Sequence, residues 1–267
     1  MNYKGLIRKM KAHLDNDGIA QYSLPIGDQS LPLNQLIGST VTLQHSGIIN
    51  CISCGAKIKK TYNQGYCFMC TQTLAACDIC IIKPELCHYD KGTCREPEWG
   101  EKHCLIPHTV YLANSSGLKV GVTRAHQQVT RWIDQGASQA VKIAETTNRL
   151  EAGKVEVSFK ELLQDKTNWR KMLKEEPESI DLEHLRSTYQ KKLEISATVR
   201  LETTEPPVQI KYPVDKYPDK ITSLNLDKNP EINSKLNGIK GQYLIFESGV
   251  INMRKYAGYE LIVSTES

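Results

Sequence analysis

Apolar and polar positions alternate in short runs over the first fifty residues. Residues 22–26, 40–43 and 47–49 are bounded by Gly, Pro, Asn and Ser and predict strands. From residue 109 the pattern changes to strand and helix in turn. Residues 109–113 read as a strand, 114–117 as a four-residue turn and 118–124 as the return strand. An amphipathic helix through Val129, Trp132 and Ile133 follows, with Gly136 placed to terminate it. Residues 141–144 read as a third strand, and residues 150–160 as a second helix ending near Leu163. Ile180, Leu182, Leu185, Tyr189 and Leu193 recur at helical spacing over 179–194, with Ser179 as the expected N-cap. Residues 203–207, with Pro206 and Pro207, read as a linker. Residues 208–263 return to β, with Pro213 and Pro218 confined to edges and turns.

Two stretches echo each other. Leu33-Asn34 and Gly38 are followed by Ser46-Gly47 and Asn50; Leu236-Asn237 and Gly241 are followed by Ser248-Gly249 and Asn252. Each copy reads as strand, Ser-Gly turn, strand, which is a hairpin pattern. Both chain ends are therefore expected to supply equivalent hairpins to one β-barrel or sandwich, with the middle of the chain inserted between them.

Composition narrows the class. The chain has 267 residues, 40% hydrophobic and 24% charged, which is ordinary for a folded chain of one or two domains and excludes disorder throughout. No apolar run approaches the ~18 residues that span a bilayer. The basic N-terminal stretch has no apolar segment behind it, so no signal peptide and a cytoplasmic location are expected. The formal net charge of +4 names no partner, but it is unevenly spread. Residues 105–174 hold 11 Lys and Arg against 6 Asp and Glu, whereas residues 175–207 hold 4 against 8. A basic segment of that kind can attract phosphates.

Cysteine changes the picture most. All 9 cysteines fall between Cys51 and Cys104, an odd number in one fifth of the chain, which argues for metal thiolates in a reducing compartment rather than a disulfide scaffold. Cys51-Ile52-Ser53-Cys54 and Cys67-Phe68-Met69-Cys70 are two knuckles, each turning a pair of sulfurs toward one point. Together they supply the four thiolates of a closed structural zinc site resembling a zinc ribbon. Gly55 suits the tight turn after the second sulfur, and residues 62–66 suit the hairpin loop between the knuckles. A second set follows: Cys77, Cys80, Cys87 and Cys94 are the expected ligands of a second site, with His88, Cys104 and His108 as alternates. Zinc is the expected metal there, and the surplus of thiols leaves an iron–sulfur cluster open. His103 and His108 read otherwise as loop or packing residues.

Tyr111, Gly121 after a short hairpin, Arg131 on the next helix, Glu156 within Glu151-Ala152-Gly153-Lys154-Val155-Glu156, and Asn168 resemble in order and spacing the GIY-YIG endonuclease domain, closest to that of UvrC-type repair proteins. The likeness covers about a quarter of the chain. It implies metal-assisted phosphodiester hydrolysis: Glu156 holding Mg²⁺ or Mn²⁺, Arg131 stabilising charge on the phosphate, and Tyr111 orienting the attacking water. Two departures weaken the match. The first motif reads Thr109-Val110-Tyr111 without its glycine, and Lys119 stands where the second motif has a tyrosine. A lysine ammonium binds phosphate but is a poor base at pH 7. With its Cys87-His88, Gly92–Arg95, Gly238–Tyr243 and Asn252–Gly258 stretches, the whole chain also resembles a bacterial family of unknown function numbered 2797.

The expected fold class is thus α+β: a β-rich framework from both chain ends, a zinc-ribbon-like module and a small GIY-YIG-like α/β domain. The expected parts are 1–50, β-rich; 51–108, metal-binding; 109–174, GIY-YIG-like; 175–207, helix and linker; and 208–267, β-rich. The expected function is a zinc-binding, nucleic-acid-associated protein. Lys119, Arg124 and Arg131 would contact phosphates of DNA or RNA, and Tyr111, Arg131 and Glu156 would either cleave or only bind. The rival reading is a zinc or iron–sulfur protein acting in redox chemistry or RNA modification. No membrane association and no protein partner are indicated.

Overall fold

A computed structural model describes residues 2–160, 163, 168–191, 199–201 and 205–265. In chain order the strands are β1 (Asn2–Leu6), β2 (Lys11–Leu14), β3 (Ala20–Ile26), β4 (Gln29–Pro32), β5 (Thr40–Ile49), β6 (His108–Asn114), β7 (Leu118–Arg124), β8 (Gln139–Thr146), β9 (Val199–Arg200), β10 (Val208–Gln209), β11 (Glu231–Lys240), β12 (Tyr243–Phe246), β13 (Gly249–Asn252) and β14 (Tyr259–Thr265). The helices are α1 (Phe68–Thr73), α2 (Pro97–His103), α3 (Gln128–Asp134), α4 (Arg149–Lys160), α5 (Trp169–Met172) and α6 (Leu182–Gln190). The chain forms two compact units: residues 1–71, 169–175 and 210–267, and residues 72–168 and 176–209.

The first unit carries a six-stranded antiparallel sheet in the order β1-β14-β5-β11-β12-β13 and a three-stranded sheet β2-β3-β4. Strand β5, from the N-terminal part, lies between β14 and β11 from the C-terminal part, so the two chain ends interleave in one sheet. The alternation along β3 is the physical reason it forms: Ala20, Tyr22, Leu24 and Ile26 are all buried, and the residues between them are half-exposed. On β5, Leu43 sits in register with Ile232 and Val263, a row of buried aliphatics across three strands. Short helix α5 adds Met172 and Leu173 against Ile245 and Val250, while Trp169 stacks on Tyr243 at 5.6 Å.

The echo between the chain ends is only half structural. Strands β12 and β13 form a hairpin around Glu247-Ser248. Its counterpart is not a hairpin: β5 runs unbroken from Thr40 to Ile49. Ser46-Gly47 makes a bulge there, where the register against β14 jumps from Ile49↔Tyr259 to His45↔Leu261 and Gly47 takes φ +85°. A glycine at positive φ serves a bulge as readily as a turn, and pairing with β14 on both sides of the bulge keeps the strand extended.

In the second unit an antiparallel sheet has the order β10-β8-β6-β7, with β9 also paired to β8. Val110, Leu112, Val120, Val141 and Ile143 line one face and pack against Ala152, Val155 and Phe159 of α4 and Leu182 of α6. The strand–turn–strand, helix, strand, helix order expected over 109–160 is present as β6, β7, α3, β8 and α4. Gly136, at φ +67°, follows the end of α3. Helix α6 begins later than the apolar spacing suggests. Asp181 is its N-cap, accepting the backbone N–H of His184, while the Ser179 hydroxyl accepts from Gln139 Nε2 at 3.1 Å. Leu193, residues 165–167, and Thr203 and Thr204 of the expected linker lie outside the described residues. Among the described residues, no helix is long and apolar enough to cross a membrane.

Candidate metal centres and a buried polar cluster

Strand β5 delivers Cys51, and Gly55 at φ +74° turns the chain directly after Cys54. Tyr62 and Tyr66 pair across a loop in which Asn63, Gln64 and Gly65 all take positive φ, which returns the chain to Cys67 and to Cys70 in α1. The four sulfurs lie within 4.8 Å of one another. Cys54 and Cys67 are 3.9 Å apart. A Zn–S bond of ~2.3 Å places the sulfurs of a tetrahedral site about 3.8 Å apart, so this donor set fits zinc in both chemistry and size. Backbone N–H groups supply the surrounding shell: Cys67 donates to Cys51 Sγ at 3.2 Å, and Cys70 to Cys67 Sγ at 3.4 Å. Burial alone would raise the Cys51 thiol, but backbone N–H groups of Cys54, Ser53 and Cys67 bring it down to about 6. The neighbouring Cys67 thiol, with burial, pushes Cys70 up to about 12. One thiolate is favoured by the backbone, and Cys70 needs a cation to ionise beside it.

The later cysteines gather differently. Cys80, Cys87, Cys94 and Cys104 line one cavity, with Ala75, Asp78, His88, Tyr89, Arg95 and Trp99 completing its wall. Cys77 is not among the lining residues, and Cys104, offered by the sequence only as an alternate, is. Burial, then the Asp78 carboxylate and the Cys87 thiol, push Cys80 up to about 12. Burial also pushes Cys104 up to about 11, against the pull of Arg149 and helped by Cys87 and Cys94. Asp78, Cys80 and His88 bring their donor atoms within 4.8 Å of one another, but two of the three are otherwise engaged. Asp78 accepts the Cys80 backbone N–H at 3.2 Å and pairs with Arg95 Nε at 2.8 Å. His88 Nδ1 meets Thr93 Oγ1 at 2.8 Å, and its Nε2 faces Asp78 at 3.6 Å.

Tyr111, Arg131 and Glu156 come from β6, α3 and α4, and the charges of Arg131 and Glu156 both act on the Tyr111 phenol. Tyr111 is fully buried and donates to Gln135 Oε1 at 2.7 Å. Burial raises the phenol above its ordinary value, a hydrogen bond and the charge of Arg131 pull against that, and the Glu156 carboxylate pushes it higher. Gly121, opposite Tyr111 in the ladder, explains how the ring lies so close to β7: a Cβ there would sit 2.5 Å from the Tyr111 oxygen. The ring also meets Trp132 edge-on at 6.0 Å. Glu156 is buried and, among the described residues, belongs to neither group that gathers three or more metal-binding side chains. Asn168 is exposed and donates its backbone N–H to Ser116 Oγ at 2.9 Å.

The expected phosphate contacts do not make an open basic patch. Lys119 faces Ala113 in the ladder and is only 6% exposed. Arg124 donates to the His103 carbonyl and to Gln127 Oε1, both at 3.3 Å, and lies over the Trp99 ring. Arg131 is partly exposed. His103 stacks on Trp99 at 4.1 Å and bonds its carbonyl through Nδ1, a packing role.

His108 is buried. Its Nδ1–H meets the Ile106 carbonyl at 2.7 Å, and among the described residues no group pairs with its buried Nε2. Burial lowers its pKa to about 4, with Arg149 and Arg124 adding to the effect. An imidazole with a folded pKa below its unfolded value of ~6.5 binds its proton more readily when unfolded. Its stabilisation is complete above pH 6.5 and is lost as the pH falls toward 4. Over that window the wild type is expected to lose up to about 3 kcal/mol more stability than His108→Gln. Urea midpoints at pH 7 and pH 4.5 check this, and parallel loss in both proteins would refute it.

A profile of the family described as "Protein of unknown function (DUF2797)" matches residues 38–261. No curated protein and no solved structure matches the chain.

Proposed function

We propose that this chain, which belongs to the DUF2797 family of proteins of unknown function, is a zinc-stapled, nucleic-acid-associated protein with a divergent GIY-YIG-like phosphate site. What supports the reading is that the charges of Arg131 and Glu156, from two other elements, both act on the buried Tyr111 phenol. The motif resemblance concerns those same three residues. Phosphate binding is favoured over cleavage for two reasons. Tyr111 is buried, bonded to Gln135 and held above the ordinary phenol value, so at neutral pH it is a hydrogen-bond donor rather than a base. Lys119 stands in place of the second tyrosine and is buried. In this reading Arg131, partly exposed, meets the phosphate, and Glu156 would hold one Mg²⁺ or Mn²⁺ in an active form.

Affinity for a nucleic acid is expected to fall steeply with salt, because each neutralised phosphate releases counterions. Arg131→Ala should lower the log–log salt slope by about one. Glu156→Ala should leave binding intact or tighten it, and should abolish any Mn²⁺-dependent nicking. Fluorescence anisotropy on labelled DNA and RNA over a salt series reads the binding effects, and denaturing gels with Mn²⁺ read any nicking. Wild-type protein that binds neither at ~50 mM salt would overturn the proposal.

A further inference from the structure

We propose that the cysteine hairpin of the first unit binds an unpaired nucleic-acid strand, with a base stacked on Phe68 beside Tyr62 and the adjoining phosphates on Lys59 and Lys60. The inference rests on the nucleic-acid reading above and names the kind of strand and a contact surface for it.

Phe68 is out of place for its residue type. Of the chain's 3 phenylalanines, Phe159 and Phe246 are each 1% exposed, whereas Phe68 is 55% exposed. It stands between the ligands Cys67 and Cys70, with Met69 also exposed beside it. Tyr62, exposed as well, meets the Phe68 ring edge-on at 5.6 Å. The backbone under Tyr62 is fixed, since its N–H and carbonyl exchange hydrogen bonds of 2.8 and 3.0 Å with Tyr66. Rings presented on a held backbone lose little freedom when a planar group settles on them. Stacking on such a ring suits any base, because every base has a π-face.

The charge beside the rings has the sign that phosphates require. The Lys60 ammonium lies 5.2 Å from the centre of the Tyr62 ring, and Lys59 next to it is exposed. The Ile58 N–H donates to the Ile49 carbonyl at 2.9 Å, which ties this run of lysines to the end of β5. Arg8 adds a cation at the first knuckle, donating to the Ile52 carbonyl at 3.1 Å. None of the chain's 30 Asp and Glu falls within residues 29–77. Tyr259, which contacts Thr61, holds the Asp227 carboxylate on its hydroxyl at 2.8 Å, and Lys255 neutralises that carboxylate at 3.3 Å. The cations outnumber the two net negative charges of a zinc tetrathiolate. An ammonium next to an open aromatic ring matches a nucleotide, which carries a phosphate next to a base. In a duplex both faces of each base are already stacked, so only an unpaired strand can offer one to Phe68.

The test titrates the full zinc-loaded chain against labelled oligouridylate and oligothymidylate of about 16 nucleotides, and against duplexes of the same length. Both single strands are expected to bind about tenfold or more tighter than the duplexes. Phe68→Ala should weaken strand binding by about tenfold or more while keeping the wild-type zinc content, which shows that the hairpin is folded. Phe68→Trp should keep the affinity, and its added indole emission should be quenched when a strand is bound. Lys59→Ala and Lys60→Ala should each lower the log–log salt slope by about 0.7. Undiminished strand affinity in Phe68→Ala would overturn the proposal, and so would duplexes that bind as tightly as single strands. Vesicles of phosphatidylglycerol that bind the wild type and not Phe68→Ala, with strand affinity equal in the two proteins, would assign the surface to lipid instead. Strand binding that Arg131→Ala weakens and the hairpin variants leave unchanged would remove this site and keep the earlier reading. A wild type that binds neither strand nor duplex would end both.

Discussion

Cys51→Ser is expected to release about one equivalent of zinc and to unfold the hairpin from residue 50 to α1. The driving term is large. Structural zinc contributes ~10–16 kcal/mol of apparent binding energy in finger peptides, and little else in this segment can replace it. Ile58 and Tyr62 are at most half-buried, and Phe68 and Met69 are 55% and 65% exposed. Only Cys51 and Cys70, the ligands themselves, and Gly65 are buried over 51–70. Cys51 is the most damaging of the four to change, because its sulfur collects the N–H groups of Cys54, Ser53 and Cys67 and carries the favoured thiolate. The damage should spread into the sheet. Gly65 packs so tightly that a Cβ would meet the Ala257 carbonyl at 2.9 Å, and Asn50 N–H donates to Gly258 at the start of β14. Zinc released into a chromogenic chelator and the thermal midpoint measure the two effects. Full zinc content with an unchanged midpoint would refute the assignment.

The two cysteine clusters show what a sequence reveals and what it hides. A knuckle is a local object: four residues fix where two sulfurs point, so Cys51, Cys54, Cys67 and Cys70 can be paired by eye. The second cluster is assembled by tertiary structure. Cys77-Asp78-Ile79-Cys80 has the same spacing, yet its Asp78 caps the 3-10 turn Ile79–Ile81, so Cys80 faces the cavity and Cys77 does not line it. Cys104 joins from the far end of α2, and no spacing rule indicates it. The same limit appears in the backbone. Ser46-Gly47 and Ser248-Gly249 carry the same residues, but strand partners decide between bulge and turn. Asp181 and Ser179 are both competent caps, and the Gln139 amide draws Ser179 away. Lys119 reads as a phosphate contact, but the ladder sets it opposite Ala113 in a buried position.

Gly153→Ala should destabilise the second unit, against the helix-propensity expectation. Inside a helix such as α4, glycine to alanine ordinarily gains about 0.5–1 kcal/mol. Here the added Cβ would overlap the Glu85 backbone nitrogen and lie 2.5 Å from the Pro84 carbonyl carbon. Both obstacles are main-chain atoms, so no rotamer change relieves them, and the 3-10 turn Pro84–Leu86 must move away from α4. Overpacking of this kind typically costs 1–3 kcal/mol, and occasionally more where backbone must shift. A net loss of about 2 kcal/mol or more is expected, as a lowered urea midpoint. The turn lies between Cys80 and Cys87, so its displacement should also pull Cys87 out of the sulfur-lined cavity. A variant as stable as the wild type, or more stable, would show that α4 does not press on this turn.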